Sequence, residues 1–156
     1  MPFSLPEIHP PNRDLLPLLQ KHLDSLTKPP GSLGRLEELA RAFGLMRGST
    51  DLVLQKRAIF TFAADHGISQ AGVSAYPRQV TAQMVFNFLR GGAAINVLCR
   101  HYGIQNVVVD VGVDYDFPEL PGLVRRKIAR GTQNFHEAPA MSEEEAIQSF
   151  RKGAAA

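Results

Sequence analysis

The chain has one cysteine, Cys99, and no tryptophan. One thiol cannot close an internal disulfide, so no disulfide framework exists, and a lone thiol suits a reducing cytoplasm. Long apolar runs are missing too. No segment approaches the roughly 18 apolar residues that a membrane-spanning helix needs. The opening residues, MPFSLPEIHPPNRD, lack the basic and apolar regions of a secretory signal. Charge of one sign is scarce. A formal net charge of +2 is too small to suggest a nucleic-acid surface. The densest basic group, Arg125-Arg126-Lys127 with Arg130, reads as a solvated face. Several short motifs are absent as well. There is no P-loop, no GxGxxG, no HExxH and no cysteine pair. Neither a metal centre nor a bound cofactor is expected.

What is present suits a globular α/β protein. Hydrophobic residues make up 44%, enough for a core, and a chain of about 150 residues can bury roughly 70% of its unfolded surface. Residues 1–13 are expected to be a flexible arm, because Pro2, Pro6, Pro10 and Pro11 prevent regular helix. Residues 14–156 are expected to belong to a single domain. Leu15 to Leu26 has a helical apolar pattern, with Pro17 tolerable in the first turn. Lys28-Pro29-Pro30-Gly31 makes a stiff turn. Ser32 is then placed as the N-cap of a helix whose stripe is Leu36, Leu39, Ala40 and Phe43.

Two near-continuous apolar runs follow, RAIFTFAA at Arg57–Ala64 and VVVDVGV at Val107–Val113. Such runs suit parallel strands covered on both faces. Two helical patterns separate them. One spans about Gln79 to Leu89, with Val80, Met84, Val85 and Phe88 on one face. The other spans Gly92 to Tyr102, with Ile95, Leu98 and Cys99 on one face. Strand, helices, strand is a parallel crossover. A third strand is expected over Val124–Ala129. Ser142 and Glu145 form a capping box that opens a last helix. The fold class is therefore α/β: a partial doubly wound parallel sheet with flanking helices and an N-terminal helical region. A helical pattern is still running at RKGAAA, so the chain is expected to be the first part of a larger α/β protein.

In open α/β sheets, ligands bind outside the carboxyl ends of the strands. Asp65, His66 and Gly67 sit at that end of the first strand, with Asp110, Gly112 and Asp114 at or near that end of the second. These groups are expected to share one crevice. Their bland reading is turn chemistry: an Asp that caps a turn and a Gly that permits one. Asp110 is not followed by the Thr/Gly-rich turn of enzymes that use phosphoribosyl pyrophosphate.

Five blocks carry a resemblance. They are LTKPPGSLGRLEELA (26–40), FAADHGISQAGVSAYPRQVTAQMV (62–85), FLRGGAAINVLCR (88–100), VVVDVGVD (107–114) and IARGTQNF (128–135) followed by APAM (138–141). In order and spacing they closely resemble the nicotinate-nucleotide–dimethylbenzimidazole phosphoribosyltransferase family. The resemblance covers roughly residues 20 to 150. It implies transfer of the phosphoribosyl group from nicotinate mononucleotide to 5,6-dimethylbenzimidazole, giving α-ribazole 5′-phosphate and nicotinate, in cobalamin lower-ligand synthesis. It also implies a cytoplasmic homodimer at full length, with no nucleic-acid or membrane partner.

Family members are roughly twice as long as this chain. Their catalytic glutamate base and their nucleotide-binding segment are expected beyond Ala156, so no catalytic residue is assigned here. The resemblance places Tyr76, Gln83, Met84 and Phe88 on the substrate-binding wall, the last as its apolar floor. Asp65, His66 and Asp110 become supports of the pocket. The preferred base stays open, because some members carry Ser and Gln at positions 76 and 84. Two other readings stand beside this one: a non-catalytic ligand-binding or interaction module derived from the fold, and an unrelated nucleotide-binding α/β enzyme.

Overall fold

A computed structural model describes residues 7–156. Pro2 and Pro6 of the expected arm lie outside the described residues. Residues 7–12 carry no regular element. The chain divides into two compact units, one ending at Gln55 and one running from Lys56 to Ala156.

The first unit is a pair of helices. A 3-10 turn, Arg13–Leu15, is capped by the Asn12 side chain, which accepts from the Asp14 N–H at 2.9 Å. It leads into α1, Leu16–Asp24, with Pro17 in its first turn. There the missing N–H costs nothing. Leu19 and Leu23, one turn apart, are its buried residues. The second helix, α2, is Arg35–Arg47. It starts later than Ser32 suggests: its N-cap is Gly34, with no side-chain cap. Glu37 takes over that work from inside the helix. Its carboxylate accepts from the Leu33 N–H at 3.1 Å and pairs with Lys28 at 2.8 Å.

The expected α2 stripe is also displaced. Leu36 and Leu39 are exposed, and the buried residues are Glu37 and Gly44. Gly44 explains the shift. A Cβ there would lie 2.4 Å from Leu19 Cδ2. The two helices approach where the side chain is smallest, and that face, not the leucine face, goes inward.

The second unit is a three-stranded parallel sheet with helices. Its strands are β1 (Ala58–Ala64), β2 (Gln105–Gly112) and β3 (Leu123–Arg125), in the order β1-β2-β3. Between β1 and β2 come α3 (Gln79–Arg90) and α4 (Ala94–Tyr102). Gly91 and Gly103 end these helices in the left-handed conformation, at φ 78° and 60°. The strand expectations hold within two residues for β1 and β2, and so does their parallel pairing. The third strand is shorter than the expected 124–129. Beyond Arg125 the segment keeps only scattered bonds to β2, Arg126 N–H to Asp110 C=O and Ile128 N–H to Val111 C=O.

β2 is the buried centre. Val108, Val109 and Asp110 are each at most 3% exposed. The core gathers Ala63, Val85, Val108, Val113 and Phe117, with Phe86 and Leu89 against it. On α4 the inward residue is Cys99, as its spacing suggests, but Leu98 is 56% exposed. The step of about 100° between neighbouring helical residues carries Leu98 off the inward ridge. The last helix, α5 (Glu143–Ala154), begins at the expected capping box. Ser142 Oγ accepts from the Glu145 N–H, and the Glu145 carboxylate accepts from the Ser142 N–H at 2.8 Å.

Candidate functional site

The carboxyl ends of the strands are tied together by polar contacts, and Asp65 is the knot. It is buried. Its N–H donates to Gly112 C=O at 3.0 Å, and its C=O accepts from Thr132 N–H at 3.1 Å. Its Oδ2 accepts from Asp114 N–H at 2.7 Å. One residue thus joins the end of β1, the turn after β2 and the 128–135 segment. The register supports this. Ala63 faces Asp110 but Ala64 faces Gly112, so Val111 is unmatched. Such a slip re-aims a strand end.

Gly67 lets the segments meet. Its N–H donates to Thr132 C=O at 3.0 Å, and a Cβ there would lie 2.5 Å from Asn134 N. His66 forms an isolated parallel bridge with Thr132. Asp110 stiffens the neighbouring turn: its Oδ1 accepts from Gly112 and Val113 N–H at 3.1 and 2.9 Å. Lys127 Nζ lies 3.4 Å from its other oxygen. Asp65, His66 and Asp110 therefore sit together at the strand ends, with the two carboxylates bonded to backbone N–H groups and His66 bridged to Thr132.

Three cavities open around this knot. The first, about 330 Å³, is lined by Asp65, Arg78, Gln83, Phe86, Asp114 and Tyr115 among others. The second, about 700 Å³, runs along β1 and is bounded by Tyr76, Met84, Phe88 and Phe135. It shares Asp65 and Arg78 with the first. The third, about 320 Å³, lies toward α5 and is lined mainly by apolar groups such as Ile128 and Met141. The four residues placed on the binding wall are thus divided. Tyr76, Met84 and Phe88 border the second cavity, and Gln83 borders the first.

Sequence reasoning missed three neighbours of Gln83. Arg78 spans two segments: Nη1 is 3.4 Å from Asp114 Oδ2, and Nη2 donates to Arg130 C=O at 3.3 Å. Phe86 and Tyr115 meet edge to face, with centroids 5.8 Å apart. The available signal was the aromatic pair Tyr115 and Phe117, directly after the VVVDVGVD run. The first cavity thus combines an amide, a guanidinium, carboxylates and flat rings. That suits a flat heteroaromatic guest. No group of three or more His, Cys, Asp or Glu among the described residues is placed to hold a metal ion.

Comparison with known proteins decides the family. Residues 8–156 match the DBI_PRT family model, described as Phosphoribosyltransferase. The chain belongs to this phosphoribosyltransferase family. It is 55% identical over 150 residues to the nicotinate-nucleotide–dimethylbenzimidazole phosphoribosyltransferase of Geobacter sulfurreducens, a match that covers 96% of this chain and 43% of the relative. The enzyme of the same name from Cupriavidus taiwanensis is 53% identical, over 98% of this chain and 44% of the relative. The crystal structure of CobT from Thermus thermophilus superposes with a TM-score of 0.86 at 44% identity, over 90% of this chain and 42% of that one. The chain therefore spans less than half the length of the relatives it matches. Its sheet, flanking helices and N-terminal helical region are those of the family fold. Among the described residues no helix is long and apolar enough to cross a membrane.

Proposed function

We propose that this chain supplies the base-binding side of a phosphoribosyltransferase that joins nicotinate mononucleotide to 5,6-dimethylbenzimidazole in cobalamin lower-ligand synthesis. The observation that carries this reading is the 55% identity to a relative whose name states both substrates. In the reaction a ring nitrogen of the base attacks the anomeric carbon of the mononucleotide. The bond from that carbon to the nicotinate nitrogen breaks, and its electron pair leaves with nicotinate. The N–H proton of the base passes to a general base. α-Ribazole 5′-phosphate and nicotinate result.

This chain's part is positioning. Alignment of two reactants can supply about 7–11 kcal/mol of a barrier. The Gln83 amide, on the cavity with Phe86 and Tyr115, orients the ring nitrogen of a flat base. Tyr76, Met84 and Phe88 extend the wall on the cavity next to it. Asp65, His66 and Asp110 hold the strand-end loops that shape both. The proton acceptor belongs, by the resemblance, to a glutamate outside the matched residues, and none of this chain's residues is assigned that task. The reading places the protein in the cytoplasm, with assembly as a homodimer at the length of its relatives.

The test incubates the pure chain with nicotinate mononucleotide and 5,6-dimethylbenzimidazole and follows α-ribazole phosphate by chromatography. The expected result is no turnover, with base binding visible as shifts of the Gln83 side-chain amide in NMR spectra. Removing a general base alone typically costs about 10²–10⁴-fold. Turnover by the chain alone would overturn the assignment of the proton acceptor to a glutamate outside the matched residues, and would direct attention to Asp65, His66 and Asp110.

A further inference from the structure

A fourth cavity lies at the other end of β2, away from the Asp65 knot. It measures about 270 Å³ and sits between the last turn of α3, α4, the start of β2 and the Pro121-Gly122 turn before β3. All of these elements belong to the second unit. Its floor is apolar, with Phe88, Leu89, Val108 and the buried Cys99 around it.

The polar part of the lining is one-sided. Asn96 is engaged at both ends: its Oδ1 accepts from Ala93 N–H at 3.2 Å, and its Nδ2 donates to Phe88 C=O at 3.0 Å. Asn106 is engaged at one end only. Its Oδ1 accepts from the Thr61 hydroxyl at 2.8 Å, while its Nδ2 is buried and has no partner among the described residues. A buried donor left unpaired costs stability until an acceptor reaches it. Arg100 adds charge. Its Nη1 donates to Gly91 C=O at 2.8 Å, which holds the guanidinium at the rim, and a guanidinium carries further N–H donors. No Asp or Glu lines this cavity. It therefore offers donors and one positive charge, and the side-chain acceptors on its wall are already used.

We infer that this cavity binds a small monocarboxylate with a flat apolar body, of about the size of benzoate. The carboxylate takes the N–H groups of Asn106 and Arg100, and the body rests on Phe88, Val108 and Cys99. The guanidinium selects an anion. Two donor side chains in an otherwise apolar lining suit the two oxygens of a carboxylate. A phosphate would press unpaired oxygens against the apolar floor, which is costly. An uncharged hydrocarbon would leave Asn106 unpaired. Phe88 also borders the cavity of about 700 Å³, so its ring touches both occupants. The inference does not rest on the reaction proposed above.

The test titrates sodium benzoate into the isotope-labelled 156-residue chain at constant ionic strength and follows it by NMR. Saturable shifts are expected at the Asn106 side-chain amide and at the Arg100 guanidinium. Benzamide, which has the same shape without the charge, should bind at least about tenfold more weakly, the loss of a charge-assisted contact. Arg100→Met should weaken benzoate by about tenfold or more for the same reason. Asn106→Asp, which sets a like charge against the carboxylate, should abolish saturation. Arg100→Met, at an exposed position, serves alone if the Asn106 variant fails to fold. Arg13→Gln, in the first unit, should leave binding unchanged. The inference is overturned if benzoate produces no saturable shift at Asn106, or shifts Gln83 and not Asn106. It is equally overturned if benzamide binds as well as benzoate, if a folded Arg100→Met binds normally, or if Arg13→Gln weakens binding as much as Arg100→Met does.

Discussion

Glu37 is a nearly buried carboxylate that stays charged. The Lys28 ammonium beside it and the Leu33 N–H hold its carboxyl below the usual range, against a smaller opposing effect of desolvation. A depressed folded-state value means that its contribution to stability is fully present above the ordinary carboxylate range and is lost as pH falls through the lowered value. Glu37→Gln should therefore lower the unfolding midpoint by several degrees near neutral pH. The difference should disappear in acid, where the wild-type carboxyl is also protonated. Circular dichroism melts across pH check this; a difference that persists in acid would show a packing effect and not an ionic one. Gly67 makes a second claim at this scale. Its missing Cβ leaves room for the backbone of residues 132–134. Gly67→Ala should push the loop away and speed Thr132 amide exchange by about an order of magnitude, the equivalent of 1.4 kcal/mol. Unchanged exchange would mean the loop yields at no cost.

At the scale of elements, α5 depends on its first turn. The Ser142 N–H and hydroxyl also hold the Glu145 carboxyl below its usual range. Ser142→Ala should cost about 1 kcal/mol of helix stability, read as faster exchange of the α5 amides with the sheet unaffected. That helix was legible because a capping box is local chemistry. So were β1 and β2, as apolar runs of strand length, and the crossover between them. What was not legible depended on partners distant in sequence. Leu36 and Leu39 make a sound helical stripe, but the face that packs was settled by Gly44 against Leu19. Gln83 and Met84 are adjacent in sequence, yet a helical step turns them into different cavities. Arg78 and Tyr115 joined the site only because the turns after β1 and β2 fold together at Asp65. The edge position of β1 could not be read from its own residues, which suit a strand with neighbours on both sides.

At the scale of the molecule, the role proposed for this chain is one working side of a phosphoribosyltransferase. The most direct measurement replaces the matched region of the Geobacter sulfurreducens enzyme with residues 8–156 of this chain and assays ribosyl transfer from nicotinate mononucleotide to 5,6-dimethylbenzimidazole. The account predicts that the chimera turns over. It further predicts that Gln83→Leu in the chimera raises the KM for the base more than it lowers kcat, because a positioning amide is removed and the proton acceptor is kept. A folded chimera that binds the mononucleotide but forms no α-ribazole phosphate with any benzimidazole would contradict it.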